Sequence, residues 1–300
     1  MACAGKGATV TGTASSEATT ISPTVGRRWL AQEIRRLREE AGLKQSDLAK
    51  RLRCGAPKIA HIESMRNPVN GPDLEVLLPF LGVPADRIDW YLRLADLAQE
   101  KGWWDGNRAV PSWFSLYIGL EWGASELHEW DMGFIPGLLQ TPAYAEALLA
   151  LDASDAGTPL DERIGARLQR QSALHREREP LLLHAIVDES AMHRAVGGEA
   201  VMREQMEHLI EMSEHPRVAL QLMPFQAGPH RGQLGSFHVL RFPRDGDPGV
   251  VYLENQRGGL YLEEDDEVAS FATEFGDLRN RALSQDDSAE FLVQRMKRSS

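Results

Sequence analysis

Residues 27–66 read RRWLAQEIRRLREEAGLKQSDLAKRLRCGAPKIAHIESMR. Leu30, Ile34, Leu37 and Ala41 recur at three- and four-residue spacing, which makes one apolar stripe on a helix over about Arg27 to Ala41. Gly42 ends that helix as a residue suited to the left-handed C-terminal position. A second helix is predicted over about Gln45 to Leu52, with Leu48, Ala49 and Leu52 inward. Arg53-Cys54-Gly55 makes a tight turn. A third helix follows over about Ala56 to Met65, with Ile59 and Ile62 inward. Pro57 is tolerated because the first turn of a helix has backbone N–H groups without intrahelical partners.

Charge singles out the same stretch. It holds 11 Lys/Arg against 5 Asp/Glu, a net of +6, on a chain whose net charge is −11. The tail before it is neutral, so the residues after 66 carry −17. A basic island on an acidic protein is the footprint of a local polyanion site, not of a general nucleic-acid coat.

Outward from the island, Asn67-Pro68 and Asn70-Gly71-Pro72 mark a loop. Asp73 is read as the cap of a fourth helix that Pro79 shortens or bends, and a fifth runs from about Ala85 to Glu100. Residues 26–101 thus form a five-helix unit, preceded by an Ala/Thr/Ser/Gly-rich tail, 1–25, expected to be disordered. Gly102-Trp103-Trp104 marks the boundary with a second domain, 102–298. There, strands are predicted at 181–189, 218–225, 236–243, 250–255 and 259–264, and helices at about 160–178, 201–215, 267–283 and 287–298. Gly, Pro and Asp between the strands point to a small antiparallel sheet. The fold class is mainly α with a smaller α+β part.

No apolar run approaches the roughly 18 residues of a membrane span. The N-terminus has no apolar core of a secretory signal, and two cysteines, Cys3 and Cys54, imply no disulfide framework. A cytoplasmic protein without a membrane partner is expected. Cys54 sits where a small apolar side chain packs, so a buried thiol is the default reading. The phosphate loop G-x-x-x-x-G-K-[ST], the G-x-S-x-G elbow, H-E-x-x-H and C-x-x-C do not occur, so neither an enzyme nor a cofactor is expected. Asp188, Glu189 and His193, and the pair Glu204 and His208, are spacings common on solvated helices, and no metal site is read from them.

The major groove admits one helix, whose N-terminal residues reach base edges while the preceding helix braces on the backbone. By that geometry Ala56, Pro57, Lys58 and His61 lie on the groove-entering face, with Lys58 the best donor. Gln45 and Ser46 sit where a helix N-terminus grips phosphate. Arg28, Arg53, Gly55, Arg66 and Asn67 complete the expected contact set on double-stranded DNA. Six of seven tryptophans lie between residues 90 and 130. They are expected to dock the DNA-binding unit onto the second domain, with Trp103, Trp104, Trp113, Trp122 and Trp130 the alternative lining of a ligand or partner site.

Leu43-Lys44-Gln45-Ser46-Asp47-Leu48-Ala49-Lys50-Arg51-Leu52, followed by Ile59-Ala60-His61-Ile62-Glu63, resembles the Cro/C1-type (XRE) helix-turn-helix signature. Arg53 stands where the usual turn Gly would be, and Gly55-Ala56-Pro57 replaces a segment that carries a base-reading Gln. That departure bears on sequence readout more than on binding. Further segments (GWWDG, EWGASELHEWDMGFIPGLLQTP, QLMPFQAGPHRGQLGSFHVLRFP, VVYLENQRGGLYLEEDDEV) are similar to the WhiJ-like regulators of high-GC bacteria. The resemblance implies a transcription regulator with a C-terminal antitoxin-like domain, and a small partner protein encoded nearby. A homodimer is expected because one short groove helix buries little surface. The rival reading is an antitoxin-like interaction protein that sequesters a small partner and has weak DNA specificity.

Overall fold

The computed structural model describes residues 21–151 and 157–298. The expected disordered tail, apart from its last residues, lies outside the described residues together with Cys3; so does most of the turn expected at 153–159. Five helices come first: α1 (Pro23–Glu40), α2 (Gln45–Leu52), α3 (Ala56–Glu63), α4 (Gly71–Phe80) and α5 (Ala85–Gln99). Of the inward residues expected from the spacing, Leu30, Ile34, Leu48, Ala49, Ile59 and Ile62 are buried in one apolar cluster with Leu74, Leu77 and Leu78 of α4, Leu37 and Leu52 are half-buried against it, and Ala41, just past the end of α1, is exposed.

Two helices start earlier than the sequence expectation, and two end sooner, α3 at Glu63 and the helix expected over about 160–178 at Arg170. α1 begins at Pro23, not Arg27, because Ser22 caps it by accepting the Val25 N–H at 3.1 Å. Thr24 and Val25 are buried, so the chain is ordered where composition alone read a tail. The cap of α4 is Asn70, whose side chain accepts the Asp73 N–H at 2.8 Å, not Asp73 itself. The extra turn accommodates Gly71 and Pro72, where a proline ring costs no hydrogen bond.

The remaining elements are α6 (Ser112–Gly123), β1 (Glu126–Asp131), α7 (Pro142–Leu149), α8 (Leu160–Arg170), β2 (Leu182–Asp188), α9 (Ser190–His193), α10 (Glu199–Ser213), β3 (Val218–Met223), β4 (Phe237–Arg241), β5 (Val250–Asn255), β6 (Gly258–Leu262), α11 (Asp265–Arg281) and α12 (Gln285–Arg298). The strands form one six-stranded sheet in the order β3-β2-β1-β4-β5-β6. β1, β2 and β3 are mutually parallel, and β4, β5 and β6 continue antiparallel. The expected small antiparallel sheet is therefore corrected to a mixed one. LLHAIVD and VALQLM have few polar positions because helices cover both faces, and the links β1-α7-α8-β2 and β2-α9-α10-β3 are long enough for parallel crossovers. β1 escaped the sequence reading because ELHEWD has only Leu127 and Trp130 as apolar residues, yet it lies inside the sheet.

The two sheet faces bury different sets. His128 and Trp130 of β1, Phe237 and Val239 of β4, and Val251 of β5 face α11, where Val268, Phe275 and Leu278 pack on them. Leu127 and Glu129 of β1, His238 of β4 and Tyr252 of β5 take the other face, toward Tyr117 of α6. The helical unit is joined to this body by a close approach of α1 to α6. A Cβ at Gly119 would overlap Thr24, and one at Gly123 would overlap Ser22 and Val25. The Ser22 hydroxyl donates to the Gly119 carbonyl at 2.7 Å, which fixes the contact.

Candidate nucleic-acid interface

α2 and α3 are held against α1 by one carboxylate. Glu63, at the end of α3, accepts from Arg38 Nε at 2.6 Å and Nη2 at 3.0 Å, and from Gln45 Nε2 at 2.8 Å. Its side chain is 5% exposed, so these charge-assisted bonds act away from bulk water. Gln45, expected to grip phosphate with its side chain, is thus turned inward to Glu63. What α2 offers at this end is its backbone, together with exposed Lys44 and Ser46. Asp47 closes the turn by accepting the Lys44 N–H at 3.0 Å.

Between the helices Arg53 adopts φ 55° and ψ 42°, the left-handed conformation that the usual glycine would reach without strain. Cys54 is half-buried and packs on the core, as a small apolar residue would. Gly55 caps α3 in extended conformation. Ala56 and Pro57 are exposed, and Lys58 and His61 are half-exposed, while Ile59 and Ile62 point inward. The side expected to enter the groove is open to solvent. Lys58, however, is engaged: its Nζ lies 2.6 Å from Asp73 Oδ2 of α4. Arg53, Arg66 and Asn67 are exposed around it, as are Lys50 and Arg51, two further cations outside the expected contact set.

Arg28 is a correction. It is fully buried, with Nη1 and Nη2 at 2.6 and 3.0 Å from the Asp247 carboxylate, Nε at 2.8 Å from Glu263, and Nη2 donating to the Gly249 carbonyl at 3.0 Å. Trp29 Nε1 also donates to Asp247 at 2.6 Å. Arg28 therefore clamps α1 to the β4–β5 connection and to the residue after β6, and cannot reach DNA. Burial pushes the Asp247 carboxyl up, but hydrogen bonds from Arg28 and its charge outweigh this and hold it below its ordinary value. Next to the clamp Glu33 is held down at about 2, first by hydrogen bonds from Arg36, against the upward push of burial, and further by Tyr91. Nothing in local sequence distinguishes Arg28 from the solvent-facing Arg35 and Arg36, because its partners come from beyond residue 240.

The tryptophans do not form one site. Trp103, Trp104 and Trp122 come together, with ring centroids 5.8 and 6.1 Å apart, where the helical unit meets the second domain. Trp130 is buried on the α11 face and donates to the Gly232 carbonyl at 2.8 Å. Trp113 is 43% exposed and stands apart from that group. A cleft of about 750 Å³ opens between α1, the segment after α3, and the β4–β5 connection. Glu33, Glu39, Glu63, Asp247, Glu263 and Glu264 outnumber Arg35, Arg36 and Arg244 along it, so the cleft is acidic on balance and a poor place for phosphate. Asp188, Glu189 and His193 have structural work: Asp188 accepts the Ser190 N–H, and Glu189 accepts from Phe225 N and contacts His193.

Two family models match the chain. A helix-turn-helix domain family matches residues 29–90, and a domain of unknown function, DUF5753, matches residues 114–294. No curated protein and no solved structure matches the chain. Among the described residues no helix is long and apolar enough to cross a membrane.

Proposed function

The chain belongs to the DUF5753 family, and we propose that it is a DNA-binding transcription regulator in which α3 enters the major groove and the family domain receives a signal. The observation that carries this reading is the open outward side of α3, Ala56, Pro57, Lys58 and His61, on a helix-turn-helix fixed by the Glu63 hub. Lys44, Lys50, Arg51, Arg53 and Arg66 supply phosphate contacts around it. The protein acts as a homodimer on paired half-sites, since a single short groove helix buries too little surface for tight specific binding. The signal is a small molecule or a small partner protein. The XRE and WhiJ-like resemblances belong to this reading.

Binding to a fragment of the chain's own promoter region, followed across a salt series, tests it. Affinity falls steeply with salt, and Lys58→Ala lowers the slope of log K against log salt by about 1. Asp73→Asn, which frees Lys58 from its ion pair, tightens binding by roughly threefold, the scale of a partly exposed pair. A purified, folded chain with no salt-dependent affinity refutes the reading.

One feature favours the antitoxin-like alternative. Ala56 and Pro57, the first residues of α3, carry side chains that neither donate nor accept hydrogen bonds, so base readout is thin. A small protein that copurifies, with promoter occupancy unchanged after deletion of residues 1–100, would establish that alternative.

A further inference from the structure

β1 breaks the rule that an interior strand is apolar. Glu126, His128, Glu129 and Asp131 make four of its six residues titratable. Glu129 is 1% exposed, and its Oε2 is buried without a hydrogen-bond partner. An orphaned carboxylate oxygen in a protein interior carries a large desolvation cost, and such an exception calls for an explanation, of which a bound ion is one. On the same face, His238 of β4 sits opposite Glu129 in the antiparallel register. His238 Nε2 is 3.3 Å from Glu129 Oε1 and 3.8 Å from Asp131 Oδ1, and one donor atom from each of the three residues falls within 4.8 Å of the others. We propose that Glu129, Asp131 and His238 bind a divalent first-row transition-metal ion inside the family domain.

The geometry fits that ion class. Two donors each about 2.1 Å from one ion at the tetrahedral angle stand about 3.4 Å apart, close to the spacing between His238 and Glu129. An imidazole with two carboxylates is a borderline donor set, which favours Zn²⁺, Fe²⁺ or Mn²⁺ over Mg²⁺ and Ca²⁺. The other ring nitrogen is already placed. His238 Nδ1 lies 2.9 Å from the hydroxyl of buried Tyr117, so the ring can donate there while Nε2 faces the ion. Three protein donors leave coordination positions for water or a small oxygen-donor ligand. The site goes beyond DNA binding and uses no residue of the helix-turn-helix.

The test is Zn²⁺ binding to the full-length chain after stripping with chelator, measured by equilibrium dialysis and elemental mass spectrometry. About one ion per chain is expected, undisturbed by millimolar Mg²⁺. Glu129→Gln and Asp131→Asn each weaken binding by more than about 100-fold, and Tyr117→Phe, which removes only the support of the ring, by about 10-fold. If Glu129→Gln does not fold, Asp131→Asn, at a side chain 20% exposed, and Tyr117→Phe decide the matter, with folding checked by circular dichroism. Co²⁺ added in place of Zn²⁺ gives visible bands without a thiolate charge-transfer band. Less than about a tenth of an ion per folded chain, or binding unchanged by Asp131→Asn and Tyr117→Phe, overturns the proposal. So does a thiolate band that Cys54→Ser removes.

Discussion

Asp247→Ala should destabilise the protein by about 3–4 kcal/mol. The substitution strips buried Arg28 of its two contacts at 2.6 and 3.0 Å and leaves the Trp29 indole N–H without its acceptor. Breaking a fully buried ion pair costs about 3–5 kcal/mol, because one charge stays behind in a medium that solvates it poorly. Glu263, 2.8 Å from Arg28 Nε and 27% exposed, still balances part of the guanidinium charge, which brings that part down to about 2–3 kcal/mol. The stranded indole adds about 1 kcal/mol. The sum corresponds to a drop in Tm of roughly 6–16 °C for a chain of this size. Urea denaturation followed by tryptophan fluorescence reads it directly, since Trp29 is part of the clamp. A cycle with Arg28→Met decides between a true pair and two unrelated residues. The double variant should cost about 2 kcal/mol less than the sum of the singles. Additivity within about 0.5 kcal/mol would refute the claim that this pair fastens α1 to the β4–β5 connection.

Two further outcomes follow from local geometry. Arg53→Gly should stabilise the protein by about 0.5–1 kcal/mol, because relief of a left-handed residue with a Cβ outweighs the entropy that glycine adds to the unfolded chain; a lowered urea midpoint would contradict this. Glu33 has a folded pKa of about 2 against 4.5, so its stabilisation is complete above about pH 4.5 and is lost as pH falls toward 2. Its partner Arg36 is half-exposed, so screening reduces the effect to about 1–2 kcal/mol, and Glu33→Gln should flatten the fall in urea midpoint between pH 5 and pH 3.

Much of the helical unit was legible because its information is local. Apolar spacing located Leu30, Ile34, Leu48, Ile59 and Ile62, and Arg53-Cys54-Gly55 between the second and third helices was legible as a turn. The open face of α3 was legible for the same reason: residues off the stripe of a surface helix face water. Charge was less readable. Composition placed Arg28 with its neighbours in a basic patch, whereas Asp247 and Glu263 draw it into the interior. Gln45 and Lys58 were likewise diverted, to Glu63 and Asp73. A side chain's partner depends on what tertiary packing brings within a few ångströms, and no periodicity encodes that.

The same division runs through the second domain. Runs such as LLHAIVD and VALQLM declared themselves as strands by apolar content alone, but strand direction was decided by the helices that return the chain, and the sheet is mixed in consequence. β1 was invisible because its carboxylates contradict the pattern of a buried strand, and only pairing with β4 reveals that Glu129 faces His238. Sequence determined most of the helical and strand segments, β1 and α6 apart, and which side of α3 faces water, since both depend on neighbours a few residues apart. Tertiary structure decided which charges remain free, how the helical unit is fastened, and where donors distant along the chain converge, because each of those is a contact across space.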